Sequence, residues 1–173
     1  FSYMQMIYKN IYDKLEKNNQ IDLIIQKPEM SEEEKITFLS RFNYHGKKTL
    51  LAFAVLGGHF AEGIDLVGDK LNGVIIIGAG LPQVSPEREI IMQYYQEKFH
   101  DGFAYAYRYP GWEKVLQASG RVIRDEDDTG FALLIDHRYD SPAYRNLLPK
   151  HWKTYFAENP DDIVDYISDL SSG

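Results

Sequence analysis

An apolar run decides the fold of this 173-residue chain: Thr49-Leu50-Leu51-Ala52-Phe53-Ala54-Val55-Leu56, followed at once by Gly57-Gly58. The run does not alternate between apolar and polar residues, and such continuity is typical of strands in parallel sheets that are covered on both faces. A second run of this kind is Gly73-Val74-Ile75-Ile76-Ile77-Gly78. The glycine pair follows the first strand at the edge where open α/β sheets bind ligands.

Strand and helix signals alternate along the rest of the chain. Helical spacing, a capping-box start at Ser31 and a Ser85-Pro86 start predict helices over 4–15, 31–42 and 85–99. Short β-rich runs predict strands over 21–26 and 131–136, and further helices are predicted over 112–124 and from positions 141 and 159. The alternation predicts one α/β domain with a mainly parallel central sheet and helices on both faces, without a second domain or a repeat.

Composition excludes several classes of protein. Hydrophobic content of 44% and aromatic content of 14% suit a packed domain rather than a disordered chain. Cysteine is absent, which excludes a disulfide framework or a thiolate metal site and fits a cytoplasmic protein. No run approaches the roughly 20 apolar residues of a membrane helix. The net charge of −7 means that any contact with nucleic acid must be local.

One stretch points to phosphate chemistry: Gln117-Ala118-Ser119-Gly120-Arg121-Val122-Ile123-Arg124. In the predicted helix, the arginines at i and i+3 share a face, and the guanidinium fork suits phosphate oxygens. A glycine inside a helix costs about 1 kcal/mol relative to alanine, which predicts a close approach of another group at Gly120. The alternative is a surface helix with two solvated arginines.

A second stretch follows the first strand: Gly57-Gly58-His59-Phe60-Ala61-Glu62-Gly63-Ile64-Asp65-Leu66. Its glycines let the backbone pass close to a ligand and adopt positive φ without strain. The alternative is a glycine-rich connection from strand to helix, with Asp65 capping that helix.

Together the two stretches resemble motifs V and VI of superfamily 2 helicases, and their residues resemble the versions of these motifs found in the XPD/DinG family. Ser2-Tyr3 match the turn of motif IV in that family, with fewer residues before it than expected. The resemblance implies a second RecA-like lobe of three layers over residues 1–173, a fragment that begins at or near motif IV. Beyond Tyr139 the resemblance is weak.

The resemblance also implies roles for individual residues. Catalytic contacts with the triphosphate fall on Arg121, Arg124 and Gln117. Contacts with the nucleotide at the cleft between lobes fall on Glu62, Gly63, Asp65 and Gly120. Contacts with nucleic acid fall on Ser2, Tyr3, Gly57, Gly58 and His59. Asp65 is a candidate partner for the ribose or for an arginine.

The implied activity is ATP hydrolysis coupled to translocation on single-stranded DNA and unwinding, in a context such as DNA repair. ATP and Mg²⁺ would be bound mainly by an N-terminal lobe of the same protein, which in this family often carries an iron–sulphur cluster. The chain alone is then expected to lack ATPase activity. Two alternatives stay open: a helicase-like interaction module without catalysis, and an unrelated dinucleotide-binding enzyme.

Other patterns are set aside. Gly46-Lys47-Lys48-Thr49 resembles a phosphate-binding loop but precedes a strand and lacks the required earlier glycine, which indicates a hairpin-like loop. Gly78-Ala79-Gly80 lacks the third glycine of a dinucleotide fingerprint. The histidines show no metal-like spacing, so we expect no metal site. The aromatic segment 103–112 could stack on bases, but packing of one face of an extended segment is favoured.

Overall fold

The computed structural model of the protein describes residues 2–15, 17–43, 46–58, 71–122 and 130–171. The strands are β1 (Ile21–Ile25), β2 (Thr49–Phe53), β3 (Gly73–Ile77) and β4 (Phe131–Ile135). The helices are α1 (Ser2–Leu15), α2 (Glu32–Ser40), α3 (Pro86–Phe99), α4 (Tyr109–Ser119), α5 (Pro142–Arg145) and α6 (Pro160–Ser171). Within these ranges no helix is long and apolar enough to cross a membrane.

The strands pair in parallel, as predicted. Ile21 of β1 lies opposite Thr49 of β2, and Gly73 of β3 lies opposite Phe131 of β4. The described strands form two parallel pairs rather than one four-stranded sheet. The hairpin predicted at Gly46–Thr49 is wrong, because β1 and β2 run in the same direction and the chain returns through α2 between them.

Strand β2 ends at Phe53, three residues earlier than predicted. The cause is the side chain of Gln26, which is 5% exposed and follows β1 directly. Its Oε1 accepts a hydrogen bond from the backbone N–H of Val55 at 2.9 Å. The Gln26 side chain therefore takes the place of the backbone carbonyl that would pair with Val55 if the ladder continued, and β2 ends.

Local capping signals were read correctly from the sequence. Ser31 and Glu34 form the predicted capping box of α2, with the Ser31 Oγ accepting from the Glu34 N–H at 3.2 Å. Ser85 caps α3, with Pro86 in its first turn. Asn159 Oδ1 accepts from the N–H of Asp161 at 2.9 Å at the start of α6. Each signal depends on neighbouring residues only, which is why it is visible in sequence.

The aromatic segment before α4 is helical, so the extended conformation expected there is wrong. Ala104–Arg108 form a π-turn that leads directly into α4. Packing is confirmed for Tyr107, which is 5% exposed, and for Tyr105, whose ring stacks on Tyr95 with 4.2 Å between centroids, whereas Phe103 is 44% exposed. The Tyr107 hydroxyl donates to Glu89 Oε1 at 2.5 Å, which ties the π-turn to α3 and raises the pKa of Tyr107.

The main core lies between the β3–β4 pair, α4 and the turns after β4. Its buried members are Ile76, Ala79, Trp112, Val115, Tyr139 and Tyr144. Leu56, after β2, packs against this cluster and joins the first strand pair to it. The opposite face of the β3–β4 pair is open among the described residues, with Ile75, Ile77 and Ile135 between 40% and 50% exposed.

Candidate nucleotide and nucleic-acid interface

The carboxyl ends of β1 and β2 form the first part of the site. Gln26 donates its backbone N–H to the carbonyl of Phe53 at 2.8 Å, so the chain stays paired for one residue beyond β1. Its side-chain amide lies under the next turn, with Nε2 3.5 Å from the position that a Cβ on Gly58 would take. The buried side-chain amide of Gln26 thus packs against the glycine turn that follows β2.

Gly57 requires glycine for two reasons. Its φ is +77°, in the left-handed region that residues with a Cβ rarely adopt. A Cβ there would also lie 3.0 Å from the Cδ and Nζ atoms of Lys114, whose side chain crosses the glycine. The turn after β2 therefore contacts α4 through a half-buried glycine and a cationic side chain. We call Gln26, Gly57, Gly58 and Lys114 the carboxyl-edge surface.

The turn after β3 packs still more closely against α4. A Cβ on Gly111 would lie 2.7 Å from the carbonyl oxygen of Ala79, and a Cβ on Gly80 would lie 2.7 Å from that of Gly111. Only hydrogen atoms fit between the two backbones at these points. The start of α4 is therefore held directly against the carboxyl end of β3.

Aromatic side chains hold this contact in place. The Tyr139 hydroxyl donates to the carbonyl oxygen of Gly78 at 2.7 Å, and its ring packs edge-on to Trp112, with 6.1 Å between centroids. Trp112 Nε1 donates to the carbonyl of Leu147 at 3.1 Å. Burial raises the pKa of Tyr139, so the hydroxyl keeps its proton and its role as donor at all physiological pH values.

An ion pair between Asp136 and Arg138 lies directly after the carboxyl end of β4. Arg138 donates from Nε and from a terminal nitrogen to the two oxygens of Asp136, each at 2.7 Å. The Asp136 side chain is 9% exposed. Hydrogen bonding to Arg138 lowers the pKa of Asp136, so its carboxylate stays ionised to a lower pH than an ordinary aspartate.

Helix α4 ends earlier than predicted, and this corrects the interpretation of the arginine stretch. The helix stops at Ser119, so Gly120 is its C-cap residue with φ −66°, not a residue of its interior. Arg121 and Val122 lie in a turn, where the Val122 N–H donates to the Ser119 carbonyl at 3.1 Å. The Arg121 N–H likewise donates to the carbonyl three residues back, that of Ala118 at 3.4 Å, and the Ser119 hydroxyl donates to the Val115 carbonyl at 2.9 Å.

The expected close approach at Gly120 is also absent among the described residues. An added Cβ would meet only carbonyl oxygens of its own helix, Leu116 at 3.2 Å and Gln117 at 4.0 Å. Gln117 and Gly120 are exposed, and Arg121 is half-buried. With φ −66° and no close neighbour outside its own helix, Gly120 shows no conformational or packing need for glycine among the described residues.

Helix α4 leads away from the carboxyl-edge surface. Its start contacts Gly80, Lys114 contacts Gly57, and Val122 packs on Gly130, which precedes β4. Arg121 is seven residues beyond Lys114, about 10 Å at the helical rise. The structure thus brings Gly57 against α4 itself and places Arg121 farther along the chain, beyond the helix end.

Ser2 and Tyr3 form the first turn of α1, not the separate turn predicted ahead of it. Both are exposed, Tyr3 by 60%. Tyr8 packs edge-on to Phe53 at the end of β2, with 5.2 Å between ring centroids. Because the chain returns from α1 directly into β1, the first turn of α1 extends toward the carboxyl edge of the strands.

Five predicted site residues lie outside the described residues: His59, Glu62, Gly63, Asp65 and Arg124. Their roles stay predictions. In the part of the chain that the structure describes, no group of three histidine, aspartate or glutamate side chains is placed to hold a metal ion.

Lys114 and Gln26 were missed from sequence. Lys114 is three residues before Gln117 and therefore shares a helical face with it, a signal that was available. Gln26 is a polar residue directly after an apolar strand, which in a parallel sheet is a position for ligand contacts or turn support.

Comparison with known proteins identifies relatives over most of the chain. Residues 1–155 match the family described as helicase C-terminal domain. The ATP-dependent DNA helicase DinG of Photobacterium profundum is 32% identical over 152 residues, which are 85% of this chain and 21% of that protein. A regulator of telomere elongation helicase 1 homolog of Caenorhabditis elegans is 31% identical over 127 residues, 68% of this chain and 12% of that protein.

A third relative is the ATP-dependent DNA helicase chl1 of Aspergillus clavatus, which is 29% identical over 126 residues, 64% of this chain and 17% of that protein. The chain spans about a fifth or less of the length of these relatives.

Proposed function

Because the chain belongs to the helicase C-terminal domain family of XPD/DinG-like helicases, we propose that it is the second motor lobe of an ATP-dependent DNA helicase. An N-terminal lobe of the same protein would bind most of ATP and Mg²⁺, and any iron–sulphur cluster would lie there. The two lobes would enclose the nucleotide and move along single-stranded DNA as ATP is hydrolysed. The proposed architecture is the three-layer RecA-like fold, in which a second helical layer would cover the exposed Ile75, Ile77 and Ile135.

One observation carries the proposal: the glycine turn of motif V lies against the helix that leads to motif VI. The backbone of Gly57 is in contact with the aliphatic and amino ends of Lys114. We expect a displacement of the glycine turn to move Lys114, and through it the helix that leads to motif VI. A motor lobe requires this link between the surface that holds DNA and the residues that reach the nucleotide.

In the proposed mechanism, Arg121 and Arg124 place positive charge near the γ-phosphate as it is transferred, and Gln117 contacts the same group. Charge on that phosphate spreads over its oxygens in the transition state, and an arginine finger contributes roughly 10³ to 10⁵ in rate. Gln117 is exposed on the last turns of α4, which supports a contact of its side chain with a second lobe.

The proposed roles of the other residues follow the motifs. Glu62, Gly63, Asp65 and Gly120 would line the nucleotide cleft. Ser2, Tyr3, Gly57, Gly58 and His59 would contact the DNA backbone. The carboxyl-edge surface supports the second set, because it presents glycine backbone and the cation of Lys114 at the edge toward which α1 also extends.

The test uses the complete protein that contains this chain. We expect Arg124→Ala and Arg121→Ala to lower DNA-stimulated ATP turnover about 10³-fold while DNA affinity stays within about twofold, because the arginines act in the transition state. Arg145→Ala is the matched control, since its exposed side chain lies on α5 away from both motifs.

Equal loss of ATPase activity and DNA affinity in the arginine variants would assign these residues a structural role instead. A complete protein with intact DNA binding and no ATP turnover would favour the alternative of a helicase-like interaction module. The chain by itself is expected to show no ATP turnover. Measurable ATP hydrolysis by the purified chain would contradict the proposal that an N-terminal lobe binds most of ATP and Mg²⁺.

A further inference from the structure

A cluster of cations surrounds a cavity at the opposite end of the β1–β2 pair. The cavity measures about 570 Å³ and is lined by Asp22, Arg41, Lys47 and Lys48. Asp22 is the second residue of β1, and Lys48 immediately precedes β2. Because Ile21 lies opposite Thr49, these side chains meet at the amino edge of the strands. We call Arg41, Lys47 and Lys48 the amino-edge cluster.

Asp22 organises the cluster by accepting one cation on each carboxylate oxygen. A terminal nitrogen of Arg41 lies 3.1 Å from Oδ2, and Lys48 Nζ lies 3.5 Å from Oδ1. With Lys47, three cations line a cavity that holds one carboxylate. The local charge of the cluster is positive although the net charge of the chain is −7, so the cluster attracts anions locally.

The contacts with Asp22 leave most donors of the cluster for a ligand. Guanidinium has five N–H donors and ammonium has three, and the hydrogen bonds to Asp22 use one from Arg41 and one from Lys48. Within the described residues, no carboxylate lies in ion-pair distance of Lys47. Because Asp22 already restrains two of the side chains, less conformational entropy is lost when they bind an anion.

We propose that the amino-edge cluster binds phosphate groups of a nucleic-acid strand. Arginine and lysine together suit phosphate oxygens through a bidentate fork and a mobile point charge. The side chains of Arg41 and Lys48 are 44% and 47% exposed, so a ligand chain can enter and leave the cavity in both directions. A buried pocket would instead favour a free ion.

This site is separate from the carboxyl-edge surface. Strands of five residues separate the two edges by about 17 Å at the usual rise of a strand. The site also explains Gly46–Thr49, which fails as a nucleotide-binding loop because no helix follows it. Lys47 and Lys48 still suit phosphate, because in the fold they line one cavity with Arg41 and Asp22.

The test measures the affinity of a fluorescent oligothymidylate for the full chain by anisotropy at several salt concentrations. We expect Lys47→Ala with Lys48→Ala to weaken binding about tenfold and to lower the slope of log affinity against log salt by about 1.4, about 0.7 for each lost phosphate contact on a single strand. The single variant Lys47→Ala, which leaves the Asp22 contacts intact, should lower the slope by about 0.7.

Two controls separate local contact from net charge. Lys150→Ala with Lys153→Ala removes the same charge from exposed lysines elsewhere and should leave affinity within about twofold. Lys47→Arg with Lys48→Arg should retain binding. Equal weakening in both alanine pairs, or no weakening in either, would overturn the proposal.

A second arm distinguishes nucleic acid from free phosphate. Inorganic phosphate is added during thermal unfolding of the wild-type chain and of the Lys47→Ala, Lys48→Ala variant. Stabilisation of the wild type alone, with unchanged oligothymidylate affinity in the variant, would identify a free-phosphate site and overturn the assignment to nucleic acid.

Discussion

The hydroxyl of Tyr139 donates to the carbonyl oxygen of Gly78 at 2.7 Å and joins residues 61 positions apart. This bond connects the turn after β4 to the turn after β3, at the point where β3 meets the start of α4. Because Tyr139 is buried, its proton stays on the hydroxyl, and the bond persists across the neutral and alkaline range.

We expect Tyr139→Phe to lower the free energy of unfolding by about 1–2 kcal/mol, since it removes one hydrogen bond and keeps the ring. The measurement is urea unfolding followed by far-UV circular dichroism. Tyr155→Phe is the control, because Tyr155 is 53% exposed. A Tyr139→Phe variant as stable as the control would show that Gly78 is held by packing alone.

The contact between Gly111 and the turn after β3 predicts a sharp difference between two glycines that share the α-helical conformation. Gly111→Ala should destabilise the protein by about 1–3 kcal/mol, because its Cβ would lie 2.7 Å from the Ala79 carbonyl oxygen. Gly120→Ala should stay within about 0.5 kcal/mol of the wild type, because φ there is −66° and the added atom meets only its own helix. Thermal unfolding of both variants measures the difference, and similar midpoints would contradict the close contact at Gly111.

The Asp136–Arg138 pair predicts a dependence of stability on pH. The pKa of Asp136 is lowered in the folded protein, so its contribution is complete above the unfolded value of about 3.9 and is lost as pH falls through the folded value. We expect Asp136→Asn to cost about 1.5–3 kcal/mol near pH 7. The difference from the wild type should shrink below about pH 4.

Denaturant midpoints between neutral and acidic pH measure this dependence. Asp140→Asn is the control, since Asp140 is paired with Arg145 on the surface, and such pairs contribute about 0–1 kcal/mol. If the difference in stability between the wild type and Asp136→Asn stayed constant down to the lowest pH, the ionised carboxylate of Asp136 would not be the source of the stabilisation.

Sequence predicted the elements and their order because those depend on near neighbours. The continuous apolar strands, the capping box of Ser31 and the proline start of α3 are patterns within one or two turns of chain. Their alternation was enough to predict parallel pairing. The wording of motifs V and VI was enough to predict the family.

The site was harder to predict because distant residues build it. Gln26 bonds to Val55 across 29 positions, and Lys114 reaches Gly57 across about twice that interval. The end of α4 at Ser119 was also missed, because the predicted helical face continued through Gly120 to Arg124. Nothing in that pattern shows that Ser119 bonds back to Val115 and that the chain then turns.

The π-turn at Ala104–Arg108 leads directly into α4 and therefore sets the direction in which each side chain of α4 points around the helix axis. A π-turn has one residue more than the α-helix would need, and each residue of an α-helix rotates the chain by about 100°. Without that extra residue, α4 would keep its axis but swing Lys114 about a quarter of a circle away from Gly57. The contact between Lys114 and Gly57 therefore depends on one extra residue in the helical segment that precedes α4.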